Sequence, residues 1–288
     1  MPETAVFIDG LKSGPADAKV SVFDRGFLYG DSVFETLRTY ARRPFALDEH
    51  MARLERSAGR VLIRMPLDRA AFAREVETAV LGVDNEESIA RVMLTRGQGE
   101  SLGLDPALAP TPLRVIIVAP LQAVPAEKYA TGIGVITHPA PRLADGTPAA
   151  GAKIGNYLAA VLAMDAARKA GAEEALFVDH EGRVLEGSTS NVFAVKSGRL
   201  ITVPEDLGIL PGITRAHLLR LAAQAQIVTE IRQITESELF DCDELFISSS
   251  IRELLPVVRV NGRPIGSGRP GTLSLSLLSA FRSSARAP

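Results

Sequence analysis

Six lysines stand against twenty-six arginines in this 288-residue sequence, so arginine serves wherever a generic surface cation is needed and each lysine asks for a reason. Lys153 has the least ordinary setting. It lies between small residues in Gly151-Ala152-Lys153-Ile154-Gly155, with no acidic residue between Asp145 and Asp165. An amine in such surroundings would be desolvated, its pKa lowered and its lone pair freed for Schiff-base formation. The plainer reading is a lysine at a helix start with its head in solvent. Arg53 and His50 share a helical face, and a guanidinium fork suits a phosphate dianion. Arg56, Arg60 and Arg64 continue that run, however, and such runs usually mark a solvated face. In Leu210-Pro211-Gly212-Ile213-Thr214-Arg215 a proline near the first helical position and a permissive glycine would leave the Ile213 and Thr214 amides and the threonine hydroxyl to bind an anion. Many helices begin this way and bind nothing. Glu186 ends a strand ahead of Gly187-Ser188-Thr189-Ser190-Asn191, and Ser248-Ser249-Ser250 follows another; both could coordinate a ligand or simply form turns. The single cysteine, Cys242, sits among Asp241, Asp243 and Glu244, which disfavour a thiolate, and is read as a bystander.

The elements that must carry these residues can be read from periodicity and turn signals. Ala5 to Ile8 reads as a strand ended by Asp9-Gly10, a second strand follows, and Gly26 and Gly30 punctuate the approach to an alternating strand from Val33. Leu47 to Leu62 has helical spacing at Met51, Leu54, Ala58 and Val61/Leu62, with Asp48 as its expected N-cap. A second helix at 70–80 and strands at 89–95 and 113–118 complete a small α+β domain. Little periodicity and two prolines mark 119–132 as a connection, which places the domain boundary at 125 and gives domains of 1–125 and 126–288. Pro139 to Gly151 reads as a mobile surface loop. Next comes a helix over 155–169 whose apolar stripe is Leu158, Val161, Leu162 and Ala166, closed by Gly171. Short strands at 175–178, 184–185, 192–195 and 200–203 suggest an antiparallel meander. A helix from Pro211-Gly212 to about Gln226 and strands at 245–248 and 251–260 finish the pattern.

Composition narrows the partners. A formal net charge of −2 with 46% apolar residues gives no reason to expect nucleic acid or an acidic membrane, so small molecules are the default ligands. One cysteine excludes an internal disulfide and a cysteine-based metal cluster, and fits a reducing compartment. No stretch approaches the ~20 apolar residues that span a bilayer, so no membrane partner and a cytoplasmic location are expected.

Taken together and in order, Lys153-Ile-Gly-Asn-Tyr157-Leu, Glu186-Gly-Ser-Thr-Ser-Asn191-Val-Phe and Leu210-Pro-Gly-Ile-Thr-Arg215 resemble the class IV aminotransferases, the fold-type IV enzymes that use pyridoxal 5'-phosphate. The resemblance runs from about Asp24 to Val260. It implies a small N-terminal α+β domain, a larger C-terminal pseudo-barrel α/β domain, the cofactor in the cleft between them, and a homodimer. It also implies that Lys153 bonds the cofactor and moves the proton at the substrate's α-carbon, and that Glu186 faces the pyridine nitrogen. Arg53, the amides of Ile213 and Thr214, and Ser249 and Ser250 match the phosphate cup. Tyr157 matches the tyrosine on the ring's 3'-oxygen, and Leu210 the side chain on the ring face.

Within the family, Tyr29, Phe34 and Arg38 resemble the substrate-pocket edge of branched-chain transaminases, and Arg91 an arginine used there for carboxylates; Arg96 is a further candidate. Thr36 stands where those enzymes have glycine, and the spacing from Lys153 to Tyr157 is one residue tighter. Phe34-Glu35-Thr36, after Asp24-Arg25-Gly26, is closer to the D-amino acid transaminase and aminodeoxychorismate lyase branch. Gln98-Gly99-Glu100-Ser101 lacks the arginine and histidine of the D-specific carboxylate trap. The resulting expectation is transfer of an amino group between an L-amino acid, branched-chain-like, and a 2-keto acid. The alternative is the lyase, which expels pyruvate to give 4-aminobenzoate. A D-amino acid or R-amine transaminase ranks lower, as does a catalytically silent binding protein on the same scaffold.

Overall fold

The structure is a computed structural model that describes residues 3–140 and 149–287. Residues 141–148, most of the segment expected as a surface loop, lie outside the described residues. The chain divides into two compact units: Met1–Gln122 with Ala152–Asn156, and Ala123–Gly151 with Tyr157–Pro288. It therefore passes between units three times, where the sequence reading expects one passage near residue 125. The cause is local pairing. The Phe34 N–H donates to the Lys153 carbonyl at 3.0 Å and the Gly155 N–H to the Ser32 carbonyl at 2.7 Å, so 152–156 is stitched to the first unit.

The first unit contains β1 (Ala5–Ile8), β2 (Leu11–Ser13), α1 (Arg25–Tyr29), β3 (Ser32–Tyr40), β4 (Arg43–Pro44), α2 (Leu47–Arg60), α3 (Arg69–Leu81), β5 (Ser88–Thr95) and β6 (Leu113–Pro120). Its strands form one antiparallel sheet in the order β2-β1-β6-β5-β3-β4. Alternation gives this sheet two faces. Val33 and Leu37 of β3, with Ala90, Val92, Ile116 and Val118, are buried in one cluster with Met51, Leu54 and Ala58 of α2 and Phe72 and Val76 of α3. Each of the larger side chains so buried contributes about 1.5–3 kcal/mol of transfer free energy. Ile154 packs against the same cluster. The other face carries Phe34, Thr36 and Arg38, with Arg91 directly opposite Thr36. α2 begins at Leu47 after Ala46, which has φ 51°; Asp48 is thus not the N-cap but stands with Glu49 in the first turn, where its charge suits the helix dipole.

The second unit runs through α4 (Ala126–Thr131), β7 (Ile133–Pro139), α5 (Leu158–Lys169), β8 (Glu174–Val178), β9 (Arg183–Gly187), β10 (Asn191–Lys196), β11 (Arg199–Thr202), α6 (Ile213–Gln224), β12 (Thr229–Ile231), β13 (Ile234–Thr235), β14 (Glu244–Ser249), β15 (Glu253–Val260), β16 (Arg263–Pro264) and α7 (Thr272–Ala285). Helix α4 occupies the stretch expected as a bare connection. The sheet order is β12-β11-β10-β14-β15-β7-β8-β9-β13, with β16 beside β15. The expected meander is broken in the middle: β8 pairs with β9 and β10 with β11, but β9 continues to β13 and β10 to β14. Helix α5 also differs from the periodicity reading. It buries Ala160, Ala163 and Ala167, with Ala163 and Ala167 packed against Ala175 and Ile136, while Leu158, Val161 and Leu162 are 67%, 60% and 59% exposed. Alanines let a helix lie close on a sheet, and that close approach decided which face went inward. Among the described residues no helix is long and apolar enough to cross a membrane.

Candidate active site

In the first unit Lys153 follows the strand-like stitch to β3, and alternation sends Ile154 into the core. The Lys153 ammonium lies 4.7 Å from the centroid of the Phe34 ring, and the Arg91 guanidinium lies over the same ring at 3.8 Å. The Lys153 N–H donates to Ser57 Oγ of α2 at 3.1 Å. Farther along β3, Arg38 stacks on Tyr40 at 4.3 Å and its Nε donates to the Thr39 carbonyl at 3.4 Å. Thr36 is half-buried between them. Tyr29 ends α1, and its hydroxyl accepts the Gly103 N–H at 3.3 Å. Lys153, Phe34, Thr36, Arg38 and Arg91 thus share one side of the sheet, with two cations on one aromatic ring.

The opposite side of β3 explains Arg53. Unlike Arg56, Arg60 and Arg64, which are exposed, Arg53 is buried, and its fork grips Glu35: Nε to Oε1 at 2.7 Å and Nη2 to Oε2 at 2.6 Å. The solvated-face reading does not hold for it. His50 Nδ1 lies 2.7 Å from Glu35 Oε2. Burial alone would raise the Glu35 pKa, but the Arg53 charge and hydrogen bonds from Arg53 and His50 outweigh it and draw the carboxyl down to about 2. For His50, burial lowers the pKa, the hydrogen bond and charge of Glu35 oppose it, and Arg53 and Lys153 push it down again; its Nδ1–H donates to the carboxylate. His50 Nε2 is buried without a hydrogen-bond partner among the described residues.

In the second unit, Glu186 near the end of β9 accepts the Leu210 N–H at 3.1 Å. Asn191 Nδ2 donates to the Leu210 carbonyl at 2.9 Å, so Leu210 is clasped between two residues of the Glu186–Asn191 segment. Gly212, the N-cap of α6, has to be glycine: a Cβ there would come within 1.9 Å of Asn191 Oδ1. Among the described residues no side chain caps the first turn of α6 and none partners the buried Thr214 hydroxyl in that turn, which is the setting an anionic group would complete. On β14, Ser248 is paired with Asn191, its buried hydroxyl also without a partner among the described residues, and Ser249 and Ser250 follow, half-buried. Tyr157 is the N-cap residue of α5. The structure thus gathers Glu186, Leu210, Ile213 and Thr214 into one neighbourhood.

Sequence reasoning missed Glu35, whose alternation on β3 was visible but whose partners were not. It also overrated Arg96, which is tied to Asp31 at 2.6 and 2.9 Å and to the carbonyls of Val61 and Leu62. Arg25 joins the same aspartate and reaches the carbonyls of Gly103, Leu104 and Asp105, so these two arginines pin loops. Cys242 is buried, donates its S–H to the Leu239 carbonyl and has its thiol pushed up to about 12, chiefly by burial.

The amino-transferase class IV family model matches residues 32–260, a span that takes in Lys153, Glu186 and the start of α6. The chain belongs to the class IV aminotransferases. It is 37% identical over 278 residues to a provisionally named branched-chain-amino-acid aminotransferase of Methanocaldococcus jannaschii, covering 96% of this chain and 95% of that one. A D-alanine aminotransferase of Bacillus licheniformis is 31% identical, with 97% and 96% covered. Among solved structures, the branched-chain amino acid aminotransferase of Escherichia coli superposes with a TM-score of 0.93 at 29% identity, over 99% of this chain and 95% of that one. A second branched-chain amino acid aminotransferase, from the organism abbreviated T.th. and solved with pyridoxamine 5'-phosphate, gives 0.89 at 28% identity, over 100% and 96%. The chain therefore has the fold-type IV architecture, a small α+β unit and a larger pseudo-barrel one. It is an aminotransferase that works with pyridoxal 5'-phosphate on amino acids and keto acids.

Proposed function

We propose that this enzyme transfers the amino group of an L-amino acid with a branched aliphatic side chain to a 2-keto acid, with Lys153 as the group that holds the cofactor and moves the proton. The observation that carries the reading is the pair of cations on Phe34. The Lys153 amine and the Arg91 guanidinium lie on one aromatic ring, so a carboxylate drawn to Arg91 brings its α-carbon toward Lys153. Phe34 and its cross-strand partner Met93 offer an apolar wall for an aliphatic side chain. Thr36, Arg38 and Tyr29 bound the same pocket. The similarity to branched-chain aminotransferases supports this choice over D-amino acids.

Bound cofactor supplies a ring that takes up the electron pair left at the substrate's α-carbon. Lys153 would hold the cofactor, and its amine would take the proton from the substrate's α-carbon and return it one carbon away. Glu186 would hold a proton at the pyridine nitrogen. Arg53 in the first unit, and in the second the amides of Ile213 and Thr214, the Thr214 hydroxyl, Ser249 and Ser250, would each serve to hold the phosphate; Tyr157 would bond the 3'-oxygen and Leu210 would pack on the ring. Glu35 and His50 fix the Arg53 fork from behind. The enzyme works as a homodimer in the cytoplasm, a reading supported by the exposed Leu158, Val161 and Leu162 of α5 and by a single, buried cysteine.

The test is an absorbance titration of the cofactor-loaded enzyme with L- and D-amino acids. L-leucine, L-isoleucine and L-valine should bleach the lysine-bound band, and a keto acid should restore it; in Lys153→Ala the band should be absent from the start. Bleaching by D-amino acids alone would replace the L-specific reading. An intact band that no amino acid bleaches would replace transamination with elimination of pyruvate.

A further inference from the structure

Glu174 opens β8, is fully buried, and has no part in the roles assigned above. Its carboxylate accepts hydrogen bonds from the hydroxyls of Ser188, Thr189 at 2.9 Å and Ser190 at 3.3 Å, from the Ala175 N–H at 3.0 Å, and from Arg252 Nη1. Apart from the neighbouring Ala175 N–H, these donors come from two different turns. Residues 187–190 directly follow Glu186, and Gly187 is needed there because a Cβ would come within 2.2 Å of Ser190 Oγ and 3.4 Å of the Glu174 carboxyl carbon. Arg252 belongs to the turn that directly follows Ser249-Ser250. Its Nη1 also donates to Thr189 Oγ1 at 2.9 Å and its backbone N–H to Ser249 Oγ at 3.2 Å.

The second turn is anchored on its far side as well. The Tyr129 hydroxyl donates to the Arg252 carbonyl at 3.2 Å, and Glu253, in the left-handed region at φ 58°, is held by Arg282 at 2.7 Å. One carboxylate thus spans the two turns that present Glu186 and Ser249-Ser250. Because it is buried, its charge-assisted bonds are little screened, and sliding one turn against the other must break one of them.

We propose that Glu174 is a positioning residue, which through Ser188, Thr189, Ser190 and Arg252 fixes the spacing between the group facing the pyridine nitrogen and the hydroxyls facing the phosphate. The proposal rests on the assignment of Glu186, Ser249 and Ser250 to the cofactor made above. A role confined to folding would leave the bound cofactor's own signals unchanged.

The test uses cofactor-loaded enzyme carrying Glu174→Gln, which keeps the side chain's volume but puts an amide where two oxygens accepted. Cofactor release into a trapping protein should be about tenfold faster, the scale of one charge-assisted hydrogen bond. The bound cofactor's phosphorus resonance and its absorbance maximum should both move, at temperatures where circular dichroism shows the fold intact. Arg252→Met, which cuts only the link to the second turn, should move the phosphorus resonance and spare the absorbance maximum; it decides the question if Glu174→Gln does not fold. Unchanged signals in the folded variants, with only the melting temperature lowered, would overturn the proposal. Glu186→Gln and Ser250→Ala serve as references: if they move the absorbance and phosphorus signals and the Glu174 and Arg252 variants do not, the positioning role alone falls. If the references move nothing, the assignment of the cofactor contacts falls.

Discussion

Glu35→Gln is the perturbation that tests the buried cluster beneath Arg53 most directly. Glu35 is wholly buried and receives two bonds from the Arg53 fork and one from His50. Its carboxyl falls from an ordinary 4.5 to about 2, because Arg53 and the hydrogen bonds overcome the burial penalty. That difference is worth about 3 kcal/mol of folding free energy at neutral pH. Glutamine keeps the shape but leaves the guanidinium buried beside a neutral amide, and breaking a buried pair from one side costs about 3–5 kcal/mol. The sign follows from the lowered pKa: the contribution is complete above about pH 4.5 and disappears as the pH falls through about 2. With no tryptophan in the chain, the assay is urea unfolding followed by far-ultraviolet circular dichroism, from pH 7 to pH 2.5, on wild type and variant. The variant should be less stable by about 3 kcal/mol at pH 7, and the gap should close as the solution is acidified. A gap below about 1 kcal/mol, the size of an ordinary exposed pair, or one that does not narrow in acid, would refute the argument.

Arg53→Ala should weaken retention of the cofactor by about tenfold to a hundredfold, the scale of a charge-assisted phosphate contact; equilibrium dialysis against free cofactor checks it, and unchanged affinity would leave Arg53 a purely structural partner of Glu35. Val161→Glu with Leu162→Glu places charge on the exposed stripe of α5 and should shift the proposed homodimer to monomer in sedimentation velocity; a wild-type enzyme that sediments as a monomer would remove the proposal. Cys242 should resist thiol reagents at pH 8 in the folded protein and react on unfolding, since its pKa lies near 12 and its S–H is held by Leu239; fast labelling of the native enzyme would show that the burial is not maintained.

Most of the local elements were legible because their causes are local. The spacing Met51, Leu54, Ala58 predicts α2, the alternation from Val33 predicts β3, and Pro211-Gly212 predicts where α6 begins. The motifs around Lys153, Glu186 and Leu210 made the family legible for a different reason: a family resemblance rests on residue types held at fixed spacing along the chain. Where the reading failed, the deciding partner was distant in sequence. Arg96 looked like a substrate arginine because nothing nearby shows that Asp31 will claim it. Glu174 drew no notice, since its hydroxyl partners lie 14 to 16 residues on and Arg252 lies 78 residues on.

Helix α5 separates the two kinds of information. Its sequence by itself determined a helix with apolar side chains on more than one face, just as the ordered motifs determined the family. Which face went inward was decided only in three dimensions, where β7 and β8 present Ile136 and Ala175 to Ala163 and Ala167. Periodicity is a property of one element, whereas burial is a property of the surface it meets, and for that reason Leu158, Val161 and Leu162 were left outside.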